Sequence, residues 1–273
     1  MHGPRSPLFV GVRVSRVFSS NPFCVDPQTL LTRLRKLFVA ERKRVAYACR
    51  EGRLLGVIDR RHALMVSSRK TMASVATVME EPFIVFSPEE SLERALNVMI
   101  DADTWYAPVV DGDRLAGSLG LEDAIRFAVE SDPGALERVE ARSVMTRDPL
   151  AASKDDYVSK IWRYMVEKSF AGLPVVNEKG RLIGIITQYD LLKKGYTRIE
   201  LESSSGPRKG PRVSEAMNSS PIYAYPWSSL LEVARIIVER DVGRVPIVDA
   251  ERSLVGIIDR EDIVRALLRG GRG

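Results

Sequence analysis

Thr187 and Asp190 are a hydroxyl and a carboxylate three residues apart, at a point where an apolar strand gives way to a helix. A carboxylate is a suitable acceptor for the two hydroxyls of a ribose, and a hydroxyl beside the N–H groups of a helix start suits a phosphate. The spacing places both side chains on one side of the first helical turn. The two residues therefore predict a nucleotide site, although they would also serve as a helix cap and its first-turn acid.

Two further strand ends carry the acid without the hydroxyl. Asp262 keeps the acid, but Asp259 replaces the hydroxyl, and its carboxylate would repel a phosphate unless Arg260 offsets the charge. We expect that site to prefer a nucleoside or to hold a phosphate in another pose. Asp123 also keeps the acid, whereas Gly120 removes the hydroxyl.

The sequence does not predict catalysis. His62 stands where the fourth acid would be, so we expect that site to be empty or altered and His62 to lie on a helix surface. His2 is the other histidine, and two histidines cannot supply a repeated acid–base centre. The sequence contains no Walker-type phosphate loop, nucleophile elbow or metal-ligand cluster. We expect a protein that is not an enzyme and has no catalytic cofactor and no metal.

Composition and charge are those of an ordinary globular chain. Hydrophobic residues make up 45% of the 273 residues and charged residues 28%, and the net charge is +5. The basic residues are scattered, which favours a solvated surface over a nucleic-acid tail. No apolar run approaches the ~20 residues of a membrane span, and the N-terminus lacks a signal pattern, so we expect a cytoplasmic protein. Cys24 and Cys49 form no metal-binding or disulfide pattern and are expected to be buried free thiols.

One unit recurs four times along the chain. Each copy contains a glycine between two short apolar strands, and these glycines follow one another roughly every 60 to 70 residues. They are Gly56, Gly117, Gly184 and Gly256. Each copy also begins with a short turn, a proline and a strand, followed by apolar residues at helical spacing. The pattern predicts a compact β-α-β-β-α unit.

Such a unit exposes too much apolar surface alone, so we expect pairs of units to dock through their sheets. The segment 127–138 is predicted to connect the two pairs. The predicted order is a disordered N-terminus (1–8), repeat one (9–67), repeat two (68–130), repeat three (131–195), a linker (196–212) and repeat four (213–273).

This pattern resembles the cystathionine-β-synthase (CBS) domain family over nearly the whole chain. The strongest local match is the run 172–176 followed by 184–190, which carries the family's glycine, apolar residues, Thr187 and Asp190. The resemblance implies an α/β fold of the α+β type, in which four repeats pair into two modules that form a disk. A disk closed within one chain implies a monomer.

The resemblance also implies binding sites made of crossed halves, as in the gamma subunit of AMP-activated protein kinase. The motif of one repeat would work with an apolar adenine slot from the paired repeat, read by backbone groups at its rim. Thr187 and Asp190 would work with Ile222, Gly243, Arg244, Val245 and Pro246. Asp262 would work with Leu150, Ala171, Gly172, Leu173 and Pro174.

Arginines supply the candidate phosphate ligands. We place Arg44 and Arg244 at the same position of repeats one and four, where the resembling gamma subunit has arginines that clamp phosphates. Together with Arg60 and Arg260 they would form a shared anion pocket. The alternative is a set of surface arginines on separate edges.

The sequence thus predicts a non-catalytic, regulatory binder of AMP, ADP or ATP. The alternatives are a binder of S-adenosylmethionine or methylthioadenosine, which the family also accommodates, and a nucleic-acid-binding protein, favoured less because no basic-aromatic stripe was apparent. A regulatory role implies a partner enzyme or transporter.

Overall fold

The computed structural model describes residues 7–65, 72–196 and 210–270. The chain divides into two compact units, of which unit 1 comprises Met1–Pro22, Phe83–Pro149 and Ile222–Gly273 and unit 2 comprises Phe23–Pro82 and Leu150–Pro221. Every boundary between the units directly follows one of the prolines that begin the repeats. The chain therefore passes from one unit to the other at the same point of each repeat.

Repeats one and three have the predicted β-α-β-β-α order, and repeats two and four have it without a full first strand, which confirms the predicted mixed α/β fold. Repeat one contains β1 (Cys24–Val25), α1 (Leu31–Ala40), β2 (Val45–Arg50), β3 (Arg53–Asp59) and α2 (Arg60–Met65). Repeat two contains α3 (Leu92–Asp101), β4 (Tyr106–Asp111), β5 (Arg114–Gly120), α4 (Leu121–Ser131) and α5 (Pro133–Glu137). Repeat three contains α6 (Ala141–Val144), β6 (Thr146–Arg147), β7 (Ala152–Ser153), α7 (Val158–Glu167), β8 (Gly172–Val176), β9 (Leu182–Thr187) and α8 (Gln188–Lys193). Repeat four contains α9 (Val213–Ala216), α10 (Leu230–Glu239), β10 (Arg244–Val248), β11 (Leu254–Asp259) and α11 (Arg260–Leu268).

The first strands of repeats two and four are each reduced to one parallel bridge, Phe86 to Val109 and Ala224 to Ile247. Three 3-10 turns, at Pro7–Phe9, Val14–Arg16 and Val75–Thr77, lie in the segments that lead into the first strands of repeats one and two. The central hairpin of each repeat is antiparallel, and its glycine faces a buried residue of the other strand, as Gly184 faces Val175. The hairpin register is therefore the same in all four repeats and aligns them residue by residue.

The segment that leads into each repeat packs on the sheet of its neighbour. The leading segment of repeat four bridges repeat three at Asn218 and Ile185, and that of repeat three pairs with repeat four at Thr146 and Ile257. Repeats one and two exchange their leading segments in the same way, through the bridges Ser19–Ser118 and Val57–Glu80. The leading segment of each repeat therefore packs in the unit that contains the sheet of the neighbouring repeat.

This exchange explains why the hairpin glycine recurs. A Cβ atom on Gly184 would lie 2.6 Å from Sδ of Met217 and 2.9 Å from the carbonyl oxygen of Asn218, which is closer than van der Waals contact permits. Equivalent contacts are Met79 on Gly56, Phe18 on Gly117 and Met145 on Gly256. Glycine is required at these positions because the exchanged segment occupies the space of a side chain.

Each unit has its own apolar core between helices. In unit 1, α4 of repeat two packs against α10 and α11 of repeat four, and in unit 2, α8 of repeat three packs against α1 and α2 of repeat one. The repeats that pack within a unit are thus not consecutive and meet through helices. The expected docking of consecutive repeats through their sheets stays a prediction. The segment 127–138, predicted to be a connection, contains the end of α4 and the helix α5.

Part of the expected N-terminal disorder and of the expected linker falls outside the described residues, at 1–6 and 197–209. The expectation was wrong for Leu8, which lies in a 3-10 turn and packs against the core of unit 1. Arg212 precedes α9 and bridges Tyr157, so the end of the expected linker is structured. Among the described helices, none is long and apolar enough to cross a membrane.

Candidate functional site

In repeat three the motif forms a reciprocal cap at the start of α8. The Thr187 hydroxyl accepts a hydrogen bond from the Asp190 N–H at 3.2 Å, and Oδ2 of Asp190 accepts from the N–H and the hydroxyl of Thr187 at 2.9 and 2.6 Å. The capping interpretation of these two residues is therefore correct. It does not remove the acid from ligand chemistry, because the cap uses one carboxylate oxygen. Within the described residues, Oδ1 of Asp190 accepts no hydrogen bond.

Asp190 is half-buried, and burial raises its pKa above the ordinary value, against the hydrogen bonds from Thr187 that lower it. Such a carboxylate gains from a donor that replaces lost water. A pair of ribose hydroxyls is a donor of this kind.

Repeat four builds the same cap from two carboxylates. Oδ1 of Asp259 accepts from the N–H groups of Glu261 and Asp262 at 2.9 and 3.2 Å, and Oδ2 of Asp262 accepts from the Asp259 N–H at 2.9 Å. Burial and the neighbouring Asp259 raise the pKa of Asp262 to about 7. A second negative charge at this helix start disfavours a phosphate.

Repeat two keeps only the acid. Oδ2 of Asp123 accepts a hydrogen bond from the Gly120 N–H at 2.8 Å, and burial together with Glu122 raises the pKa of Asp123 to about 7. Asp123, Asp190 and Asp262 thus share one geometry, in which Oδ2 is held by the backbone at the helix start.

In repeat one, the expectation that His62 lies on a helix surface was wrong. His62 is buried, and its ring nitrogens lie 2.7 Å from Asp59 Oδ1 and 3.0 Å from Glu80 Oε1. Burial alone would lower the pKa of His62, but the two carboxylates raise it. The histidine therefore stands in place of the acid of the other repeats and joins an internal network with Asp59 and Glu80.

The strand register corrects our alignment of Arg44 with Arg244. Arg244 pairs with Asp259 in β10 and β11, and Val45 pairs with Asp59 at the same place in β2 and β3. Arg44 is thus the counterpart of Gly243, one residue earlier. We missed this because a shift of one residue also matches apolar residues to apolar residues, yet it moves a strand side chain to the opposite face.

The first helical residues Arg260 and Arg60 occupy equivalent buried positions. Nε of Arg260 lies 3.4 Å from Oε2 of Glu122, the second residue of α4. The guanidinium of Arg60 lies 5.0 Å from the ring centre of Tyr189, the second residue of α8. Two equivalent arginines therefore meet different partners, a carboxylate in unit 1 and an aromatic ring in unit 2. Sequence analysis missed both pairs because repeats distant in the chain supply the two members.

Arg244 is buried beside this cluster, with its guanidinium 5.6 Å from the ring centre of Trp105, and burial lowers its pKa. A Cβ atom on Gly243 would lie 3.1 Å from Nη1 of Arg260, so this close approach favours glycine. Arg244 and Arg260 belong to unit 1, whereas Arg44 and Arg60 belong to unit 2. The shared pocket for all four arginines stays a prediction.

The two predicted half-sites likewise fall in different units. Thr187 and Asp190 are in unit 2, and their predicted slot of Ile222 and 243–246 is in unit 1. The reverse holds for Asp262 and its slot of Leu150 and 171–174. These pairings stay predictions.

Within one unit, however, the structure brings motif and slot residues of the same repeat together. Gly172 pairs with Thr187, and a Cβ atom on Gly172 would lie 2.9 Å from Cγ2 of Thr187. Leu173 is buried in the core of unit 2 and offers a ligand only its backbone, whereas Leu150 and Ile222 leave 43% and 40% of their surface exposed.

Among the residues that the structure describes, no cluster of acidic, histidine and cysteine side chains has the geometry of a metal site. The expectation of two buried thiols was wrong for Cys24, which is exposed, and Cys49 is half-buried.

Comparison with known families and structures supports the sequence pattern. The model of the CBS domain matches residues 75–130, 141–196 and 213–269, which together make up more than half of the chain. Repeat one lies outside these matches but has the same strand order and register.

Protein MJ1225 of Methanocaldococcus jannaschii is 28% identical over 200 residues, which cover 70% of this chain and 69% of MJ1225. Its crystal structure, described as that of a candidate archaeal homologue of γ-AMPK, covers 93% of this chain and 99% of that chain with a TM-score of 0.80 at 24% identity. A structure from Pyrococcus horikoshii covers 94% of this chain and 100% of that chain with a TM-score of 0.64 at 21% identity.

The chloroplast protein CBSX2 of Arabidopsis thaliana is 30% identical over 125 residues, which cover 38% of this chain and 52% of CBSX2. The CBSX2 structure in complex with AMP covers 49% of this chain and 99% of that chain with a TM-score of 0.42 at 30% identity.

Proposed function

Since this chain belongs to the CBS domain family, we propose that it is a non-catalytic regulatory protein that binds an adenosine-containing ligand. One observation carries the proposal. Asp123, Asp190 and Asp262 each present a half-buried carboxylate at a helix start, with Oδ2 held by the backbone and Oδ1 accepting no hydrogen bond from the described residues. A carboxylate fixed in this way is a pre-organised acceptor for ribose hydroxyls.

Repeat three is the preferred site for a nucleotide with phosphate. Its helix start carries the Thr187 hydroxyl instead of a second carboxylate, so a phosphate there would meet one carboxylate, that of Asp190, rather than two. Ile222, which the sequence predicts for the adenine slot of this motif, leaves 40% of its surface exposed, and a purine face prefers apolar contact. AMP, ADP and ATP are the proposed ligands.

Repeat four favours the alternative ligands, S-adenosylmethionine and methylthioadenosine. The paired acids Asp259 and Asp262 supply negative charge where a phosphate would lie. Methylthioadenosine has a ribose and no phosphate, and S-adenosylmethionine adds a positive sulfonium. Both avoid the repulsion that a phosphate would meet.

In a regulatory role, ligand binding to this chain would change the activity of a partner protein. We propose that the partner is an enzyme or a transporter in the cytoplasm. The ligand would act by stabilising one arrangement of the chain over another. The proposed role of these helix starts is binding without catalysis, since in each of them one oxygen of the acid is held by the backbone as part of the helix start.

The proposal is tested by titrating AMP, ATP and S-adenosylmethionine into the purified chain in a calorimeter, followed by chromatography of the ligands after incubation. We expect saturable heat with at least one ligand and recovery of that ligand unchanged. No heat and no shift in melting temperature with any of the three would contradict ligand binding. Conversion of a bound ligand would instead contradict the non-catalytic role.

A further inference from the structure

Repeat four of unit 1 carries a row of three aromatic side chains at alternating positions, here called the aromatic ladder: Tyr223 and Tyr225, which are half-buried, and Trp227, which is exposed. The rings of Tyr225 and Trp227 are stacked, with centroids 4.9 Å apart and planes 5° apart, and Tyr223 meets Tyr225 edge-on at 5.8 Å. Trp227 leaves 58% of its surface exposed. The guanidinium of Arg252 lies 5.0 Å from the ring centre of Tyr223. A cation and three rings thus form one continuous surface.

The backbone beneath the ladder is fixed. Ala224 is buried and bridges Ile247 of β10, and Ser228 is buried. Two hydrogen bonds close the turn from Tyr225 to Ser228. The Ser228 N–H donates to the Tyr225 carbonyl at 3.0 Å, and the Tyr225 N–H donates to the Ser228 hydroxyl at 3.3 Å. A ligand that stacks on these rings therefore meets a surface that is already ordered.

The other three repeats show that the fold does not need aromatic residues here. The same turn, closed by the same bond between backbone groups, occurs in each of them, and in repeats two and three a side chain closes it a second time, as Ser228 does in repeat four. The residues equivalent to Tyr223, Tyr225 and Trp227 are Cys24, Asp26 and Gln28 in repeat one, Val85, Ser87 and Glu89 in repeat two, and Ala151, Ser153 and Asp155 in repeat three. Each of those repeats has an acid in this set, whereas repeat four has none.

Arg252 is equally specific to repeat four. It occupies the turn between β10 and β11 with a φ of 64°, and the equivalent residue of repeat three is Gly180, with a φ of 71°. Glycine is the residue that this backbone conformation favours. Repeat four therefore has a cation beside its aromatic ladder, at a turn position where the backbone conformation favours glycine.

We propose that the aromatic ladder, together with Arg252, binds single-stranded nucleic acid by stacking on its bases. Flat aromatic faces with an adjacent cation are the elements by which proteins hold unpaired bases, since every base presents a π-face and every link a phosphate. The ladder segment 223–228 contains no acid, and this together with the net charge of +5 suits a polyanion. RNA and DNA share this chemistry.

The test measures fluorescence anisotropy of labelled oligouridine and oligothymidine of about 15 nucleotides with the full chain at low salt. We expect saturable binding that weakens as salt rises. Replacing the ladder by residues the fold already uses at these positions (Tyr223→Ala, Tyr225→Ser and Trp227→Gln together) should weaken binding about tenfold or more. Arg252→Gly, which restores the residue type of repeat three, should weaken binding less and reduce the salt dependence.

The proposal would be overturned by no binding of either oligonucleotide, by equal binding of the triple variant with an unchanged circular dichroism spectrum, or by binding of a polyproline peptide instead. Relative affinity for the two oligonucleotides decides between RNA and DNA. Oligonucleotide binding is also measured for Asp190→Asn and in the presence of saturating AMP. We expect no change in either case, so a failure of the proposed nucleotide site would not affect this test. Displacement of the oligonucleotide by free AMP would show that the ladder is a mononucleotide site and would also overturn the proposal.

Discussion

At the residue scale, one carboxylate oxygen recurs as the candidate ligand acceptor. The helix-start motif of Thr187 and Asp190 was predictable from the sequence, because residue types and a spacing of three define both a cap and a ribose acceptor. The sequence did not predict that the two oxygens of the Asp190 carboxylate differ in their hydrogen bonds. One oxygen of Asp190 serves the cap, and the other accepts no hydrogen bond from the described residues.

The burial of His62 was not predictable, because position on a short helix does not reveal what covers it. Its partner Glu80 comes from the leading segment of repeat two, which packs back onto the sheet of repeat one. A pattern read within one repeat contains no information on a side chain supplied by the next.

The His62 network predicts a pH-dependent contribution to stability. The folded pKa of His62 is raised, so its contribution is fully present below the unfolded value of about 6.5 and is lost as pH rises through the folded pKa. The folded pKa of Asp59 is lowered, so its contribution is present above about 3.9 and is lost as pH falls through the folded pKa. Melting temperatures of the wild type and His62→Gln should therefore differ most near about pH 5 and least near about pH 9. A difference that does not change with pH would contradict the ion-pair network.

At the element scale, the sequence contains the residues of the exchanged leading segments but does not indicate that these segments are exchanged. The recurring glycines and the Met or Phe before each proline were both visible, but the two halves of each contact lie in different repeats. Only the structure shows that Met217 occupies the space left by Gly184.

Gly184→Ala tests the contact between the hairpin glycine and the exchanged segment. The new Cβ would meet Met217 and the carbonyl of Asn218 at less than contact distance, so we expect a loss of about 1–3 kcal/mol in the free energy of unfolding. Urea unfolding measures the change. The matched control is Gly134→Ala in α5, where the nearest described atom is 3.4 Å away and little or no loss is expected.

Adding Met217→Ala to Gly184→Ala gives a second check. Removing the long side chain makes room for the new Cβ, so the double variant should lose less than the sum of the two single losses. Strict additivity would show that the glycine is needed for another reason.

At the scale of the whole molecule, four repeats and the fold class were predictable because the hairpin glycine and the helical periodicity recur in register. The composition of each compact unit was not predictable. Local patterns favour contacts between consecutive repeats, whereas each core joins repeats separated by another repeat.

The same organisation predicts a monomer. Each helical core is completed by two repeats of the same chain, so no second copy is needed to cover it. Gel filtration with light scattering should give a mass near the 30.5 kDa of the chain. A mass twice as large, independent of concentration, would contradict this prediction.

The measurement that tests the central claim most directly is the stoichiometry and affinity of AMP binding, by equilibrium dialysis, in the wild type, Asp190→Ala, Asp262→Ala and the double variant. Asp132→Ala, which removes a capping acid of α5 outside the proposed sites, is the control. We predict that Asp190→Ala weakens AMP binding by about 1.5–3 kcal/mol, because it removes a charged hydrogen-bond acceptor, and that Asp132→Ala does not. Unchanged AMP binding in the double variant, with its fold intact, would contradict the assignment of these helix-start carboxylates as the ligand site.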